Sequence, residues 1–270
     1  MRGASRESLA TARESLAALT EVPTTDVTAL SDDLAAIAAL LDGEVSLRRL
    51  LTDPARPGDQ RAALVADLLG GKVGENAVEL VSGVVRSRWS QPRDLADALD
   101  ELAVEAELAL AERVGALDSV EDDLFRFGRI LAAEPELTQG LSRRIPPRQR
   151  SGLVDSLLAG KANPSAVRLI QRVVANPRLG SVLDGVERLS SIAAAHRERI
   201  TALVTAVIPL TEAQRERLTA ILARGYGKQI RLNVELDPEL IGGMTIRIGD
   251  DIIDGSLASK LAEAARGFAA

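Results

Sequence analysis

Over the first two hundred residues the apolar positions recur three and four apart, the spacing of one helical face. Leu9, Ala12, Leu16 and Leu19 place a helix at 5–20, and Leu30, Leu34, Ile37 and Leu41 place the next at 26–42. The same pattern, punctuated by Pro and Gly, predicts helices over 44–52, 57–70, 74–88 and 91–113, then 118–132, 135–143, 146–159, 164–176 and 180–200. Beyond residue 200 the period shortens to two. "TALVTAVIP" is β-branched and ends at a proline, and "QIRLNVEL" sets Ile230, Leu232, Val234 and Leu236 on one face against Arg231, Asn233 and Glu235. "MTIRI" (244–248) reads as a further strand. Between the first two strands, Thr211 and Gln214 have capping-box spacing and open a helix that stops at Gly225. "SLASKLAEAARGF" predicts a closing helix.

The helical part repeats itself. "SDDLAAIAALLDGE" (31–44) returns ninety positions later as "EDDLFRFGRILAAE" (121–134), so Leu30, Leu34, Ile37 and Leu41 answer to Val120, Leu124, Phe127 and Leu131. At an offset of 89, "RAALVADLLGGK" (61–72) matches "RSGLVDSLLAGK" (150–161). There Val78, Val81, Val84 and Val85 match Val167, Ile170, Val173 and Val174. Apolar spacing is kept while surface residues drift, as in a duplicated bundle held by its core. The predicted class is mainly α with a small α+β C-terminal domain: two tandem repeated helical bundles, 1–117 and 118–200, then a βαββα unit at 201–270.

Composition removes several kinds of chemistry. The 270 residues contain no cysteine and a single histidine, His196, so disulfides, thiolate zinc and histidine-based catalysis have no material. His196, within "AAAHRER", reads as an exposed helix residue. No run of about 18 apolar residues is available to span a membrane, and no secretory leader is visible. A net charge of −6 and 2% aromatics disfavour nucleic acid. Against that stands "SRRIPPRQR" with Arg143, Arg144, Arg148 and Arg150, whose alternative reading is a solvated loop between helices.

One stretch, "DPELIGGMTIRIGDDIIDGSLASKL" (237–261), has the acids and glycines of a ligand loop. A calcium loop starting at Asp250 would need oxygen ligands where Ile252 and Leu261 stand. Gly242-Gly243 precedes a strand rather than a helix N-terminus, so backbone amides do not converge on a phosphate. Turn chemistry accounts for all of it. Gly242, Gly243 and Gly249 permit turns, Asp250 bonds nearby amides, and Asp254 or Ser256, beside Gly255, caps the last helix. No catalytic, cofactor or metal residue is predicted.

Gly-Gly, a five-residue strand, Gly-Asp, an apolar pair and Asp-Gly-Ser before a helix resembles the C-terminal signature of the delta subunits of bacterial F-type ATP synthases, counterparts of the mitochondrial oligomycin-sensitivity-conferring protein. The "PLT…Q…L" helix and "YGK…L" strand entry are similar as well. The resemblance is specific over about 201–261 and weaker over the second copy and the N-terminal helix; the family has a single bundle, of six helices, whereas this chain has two bundles. It implies a non-catalytic stator component without cofactors, at the cytoplasmic face of the bacterial membrane, that links the catalytic head to the peripheral stalk. The implied partners are alpha-subunit N-terminal helices for a bundle and the end of the b subunit for the C-terminal part. The alternative is an acidic helical adaptor or a nucleic-acid-binding module using the Arg143–Arg150 loop. Expected partner-binding positions are Leu9, Leu16, Val78, Val81 and Val85, then Val167, Ile170 and Val174, and Leu257 and Leu261 on the last helix. Because only the first copy is preceded by an extra helix, completing a set of six, it is favoured as the holder of an alpha-subunit helix.

Overall fold

The computed structural model describes all residues except 2, 143, 179, 198–199, 227–229, 238–242, 249–250 and 255–270. The described chain is mainly helical with a small sheet near its C-terminus, and it divides into two compact units, Met1–Ala194 and Ala195–Ala270.

The first unit begins with α1 (Ala4–Glu21), α2 (Val27–Gly43), α3 (Val45–Leu51), α4 (Gly58–Leu69), α5 (Glu75–Arg86) and α6 (Pro92–Arg113). It continues with α7 (Leu117–Ala133), α8 (Pro135–Gly140), α9 (Pro147–Leu158), α10 (Pro164–Ala175) and α11 (Val182–Arg197). These boundaries follow local chemistry. Asp26 caps α2 by accepting from the Ala29 amide at 3.0 Å. A proline at the first turn of α6, α8, α9 and α10 has no amide to leave unbonded and a φ already suited to helix.

Two cores form. The first gathers Leu9 and Leu16 with Leu30, Leu34, Val81, Val85, Leu95 and Leu99. The second gathers Leu124, Phe127, Leu131, Leu169, Ile170 and Val186. Both draw on α6, whose Leu95, Leu99 and Leu102 enter the first core while Val104, Leu108 and Ala111 enter the second. Alanines and leucines around its whole circumference are therefore buried, as befits a central helix. The second core thus has a helix ahead of α7 after all. The expected extra helix ahead of α2 is present as α1, and α6 is long enough, at 22 residues, to contribute to both cores.

In the second unit, β1 (Ile200–Ala206), α12 (Glu212–Tyr226), β2 (Ile230–Leu236), β3 (Met244–Ile248) and β4 (Asp251–Asp254) make a four-stranded sheet in the order β2-β1-β3-β4. β1 and β2 are parallel, with Val204 opposite Val234, and α12 makes the crossover that such a pair requires. β3 is antiparallel to β1. Alternation buries Ala202 and Val204 with Ile246, Ile248 and Leu222 of α12. The α12 capping box is present: Gln214 Oε1 accepts from the Thr211 amide at 2.8 Å, and Thr211 Oγ1 from the Gln214 amide at 3.4 Å.

Two expectations need correction here. Residues 251–254, read as turn and helix cap, form β4, with Ile253 opposite Ile246 and Asp254 opposite Thr245. Two adjacent β-branched residues favour a ladder over a turn. Gly243 has φ +86°, a conformation suited to glycine. Gly242, Gly249, Asp250, Gly255, Ser256 and the closing helix lie outside the described residues. His196, read as an exposed helix residue, is buried.

Candidate partner-binding surfaces

The expected anchor residues divide by depth. Leu9, Leu16, Val81 and Val85 are core residues of the first helical assembly, and Ile170 and Val174 of the second. Val78 and Val167 are half-buried and keep some surface. Six of these side chains therefore serve as internal packing and do not line an open groove. The three-and-four spacing that suggested a groove is equally the spacing of a buried stripe, and the neighbouring helices cover it. Leu257 and Leu261 lie outside the described residues. Trp89 is buried and its indole donates to the Val84 carbonyl at 3.0 Å.

Among the described residues, the "SRRIPPRQR" segment exposes two of its arginines. Arg150 is buried and donates to the Ala175 carbonyl at 3.2 Å. Arg143 lies outside the described residues, while Arg144 and Arg148 are exposed. Two exposed arginines would neutralise about two phosphates, a small part of the roughly 6–10 phosphate contacts of a salt-sensitive nucleic-acid binder. Among the described residues no cluster of three or more potential metal ligands occurs, and no helix is long and apolar enough to cross a membrane.

The most concentrated chemistry joins the two helical assemblies. Arg172 of α10 donates to Asp32 at 2.6 Å and to Ser31 Oγ at 2.9 Å, both on α2, while Ser31 donates to the Ala103 carbonyl. Arg178 donates to Asp42 at 2.9 Å, to Asp97 at 2.7 Å and to the Ala96 carbonyl at 3.1 Å. Arg188 of α11 donates to Glu101 at 3.0 Å, and Glu101 also accepts from Arg13 of α1. Arg168 bonds the fully buried Glu107 of α6 at 2.5 Å. That hydrogen bond raises the Arg168 pKa above the ordinary arginine value against the opposing effect of burial, so the guanidinium keeps its charge at any working pH. Arg172, Arg178 and Arg188 of this ionic layer also line a cavity of about 210 Å³, together with Ala35, Ala39 and Val173. Small residues on α2 let α10 and α11 approach; arginines lock the approach.

Sequence reasoning passed over this seam. Its signal was in the repeat itself: Arg168, Arg172 and Arg178 stand where the first copy has Glu79, Gly83 and Trp89. Charges that only one copy carries mark a surface that only one copy needs.

Comparison with known proteins sets this geometry in context. The sequence profile of the family described as ATP synthase delta (OSCP) subunit matches residues 104–267. The chain belongs to that family. An ATP synthase subunit delta of Streptomyces griseus is 51% identical over 270 residues, covering all of both chains. That of Streptomyces avermitilis is 51% identical over 268 residues, 99% of this chain and 98% of its own. That of Parafrankia sp. is 45% identical over 277 residues, covering 99% of each. Members are structural, non-catalytic components of ATP synthase, consistent with a peripheral-stalk role. The profile begins at Val104, the first α6 residue that enters the second core.

Proposed function

We propose that this delta subunit is a torque-bearing link of the peripheral stalk, built from two tandem copies of the family's helical bundle that share α6. In this reading α1–α6 form the first copy and α6–α11 the second, and the segment from 201 onward is the C-terminal domain. Hydrogen bonds that recur at the repeat offset support the duplication. Arg61 donates to the Arg86 carbonyl as Arg150 does to that of Ala175. Asp33 accepts from the Gly74 amide as Asp123 does from that of Asn163. The Leu41 carbonyl accepts from Arg48 as that of Leu131 does from Thr138. Side-chain bonds to helix ends at matched positions are hard to explain without common descent of the two halves.

The helical unit holds amphipathic N-terminal helices of alpha subunits, and the C-terminal domain, through Leu257 and Leu261, holds the end of the b subunit at the cytoplasmic face of the membrane. The observation that carries this reading is full-length similarity to delta subunits in a chain whose only dense polar cluster, among the described residues, ties two bundles together. A strut under torque requires that stiffness and no reactive group. With the shared α6, both copies have six helices, so preference for the first copy no longer rests on helix number. The test is pull-down by the tagged chain, whole or truncated after residue 225. The whole chain should retain alpha and b subunits. The truncated chain should lose b and keep alpha; loss of neither or of both contradicts the division of labour.

A further inference from the structure

We propose that the cavity of about 210 Å³ lined by α2, α6, α10 and α11 binds a small carboxylic acid with an apolar body, its carboxylate on Arg188 and its hydrocarbon on the cavity floor. Burial along the wall distinguishes a floor from a mouth. Ala103, Val104, Leu169 and Leu189 are buried, whereas Ala39 and Asn176 are exposed. An engineered apolar cavity of about 150 Å³ stays dry and takes up benzene, so this one has room for a ring and a short chain. The space is not slack between α10 and α11. A Cβ on Gly185 would stand 2.3 Å from Val173 Cγ1, so those two helices are already at closest approach beside it.

The polar groups on the wall set the ligand's charge. Arg172 is held by Ser31 and Asp32, and Arg178 by Asp42, Asp97 and the Ala96 carbonyl. Arg188 is less occupied. Among the described residues it donates to Glu101 alone, through Nη2 at 3.0 Å, which leaves Nε and Nη1 as donors for a ligand. Asp100, the acid on the wall, is answered by Arg178 at 3.4 Å and does not stand as a bare negative charge against an anion. A guanidinium–carboxylate hydrogen bond is roughly twice as strong as a neutral one, so an acid is preferred to its amide. The rest of the wall is mostly hydrocarbon, which an inorganic anion would leave unmatched; a few polar groups beside an apolar floor suit an amphipathic ligand. Such a ligand touches α2, α6 and α11 together, so its binding raises the melting temperature of the helical unit.

The probe is phenylacetate, with phenylacetamide as its uncharged counterpart, titrated into the purified full chain with isotope-labelled Val, Leu and Ile methyl groups. Saturable methyl shifts at Val173, Leu189 and Ile192 are expected in nuclear magnetic resonance spectra, with the amide binding at least tenfold more weakly. Arg188→Gln should bring acid and amide to equal affinity, a change that a merely structural arginine would not produce. Ala39→Leu narrows the mouth. Because Ala39 is exposed, this variant should keep the parent's circular dichroism while binding phenylacetate at least tenfold more weakly. No saturable shift up to about 10 mM ligand, roughly ten times a millimolar Kd, overturns the proposal. Saturable shifts confined to methyl groups outside the cavity, or undiminished binding by Ala39→Leu, overturn the site. Equal affinity of the parent for acid and amide, or a preference that survives in Arg188→Gln, overturns the assignment of the carboxylate to Arg188.

Discussion

Arg178 is the side chain on which the joint between the two helical assemblies depends most. Its side chain is 11% exposed, and its guanidinium meets Asp42 of α2, Asp97 and Asp100 of α6, and the Ala96 carbonyl. In Arg178→Ala three carboxylates lose their common cation and remain close together. Breaking a fully buried pair costs about 3–5 kcal/mol. Here the carboxylates are 20–34% exposed and can recover water, so the expected loss is smaller. We expect about 2–3 kcal/mol, with Arg178→Lys between parent and alanine because an ammonium keeps the charge and loses the fork. Urea unfolding of the full chain, followed by far-ultraviolet circular dichroism, reads the difference. Hydrogen exchange should show α10 and the start of α11 opening before α4 and α5. A loss below about 0.5 kcal/mol, the behaviour of a surface pair, would refute the view that this cluster locks the joint.

Other substitutions probe separate parts of the account. Phe127 is 2% exposed at the centre of the second core, and Phe127→Ala should cost about 3–5 kcal/mol in urea titration. A Cβ on Gly185 would stand 2.3 Å from Val173 Cγ1, so Gly185→Ala should destabilise by about 1–2 kcal/mol despite alanine's helix propensity; a stabilised variant would contradict the close approach of α10 and α11. Thr211→Ala removes the cap of α12 and should cost about 1 kcal/mol, seen as faster amide exchange in its first turn. Arg168 has a folded-state pKa raised by Glu107. Its contribution is complete below the unfolded arginine pKa and is lost only as pH rises through the folded one. The stability gap between the parent and Arg168→Met should therefore stay constant across neutral pH.

Where burial alone decides a position, the residues were readable. Leu30, Leu34, Ile37 and Leu41 predicted α2, and their equivalents predicted α7, because a helix must bury one face whatever it packs against. Thr211 and Gln214 gave the start of α12 because a cap is settled within four residues. Helix periodicity could not distinguish a stripe turned inward from one left open for a partner, and so Val81, Val85, Ile170 and Val174 were read as surface. It placed α6 at 91–113 but could not orient it, since a helix shared by two cores has no polar face to turn outward. β4 escaped for a different reason: four residues are too few to show alternation, and its strand character comes from pairing with β3. The arginine seam depends on contacts 61–141 residues apart, which no local pattern encodes.

The central claim is that this subunit holds the catalytic head still against the rotor. ATP-driven proton uptake by inverted membrane vesicles, measured before and after the subunit is stripped away, tests it directly. The account predicts that stripping abolishes proton uptake while the head goes on hydrolysing ATP, and that adding back the purified chain restores uptake. Proton uptake per ATP that is unchanged by removal of the subunit would contradict it.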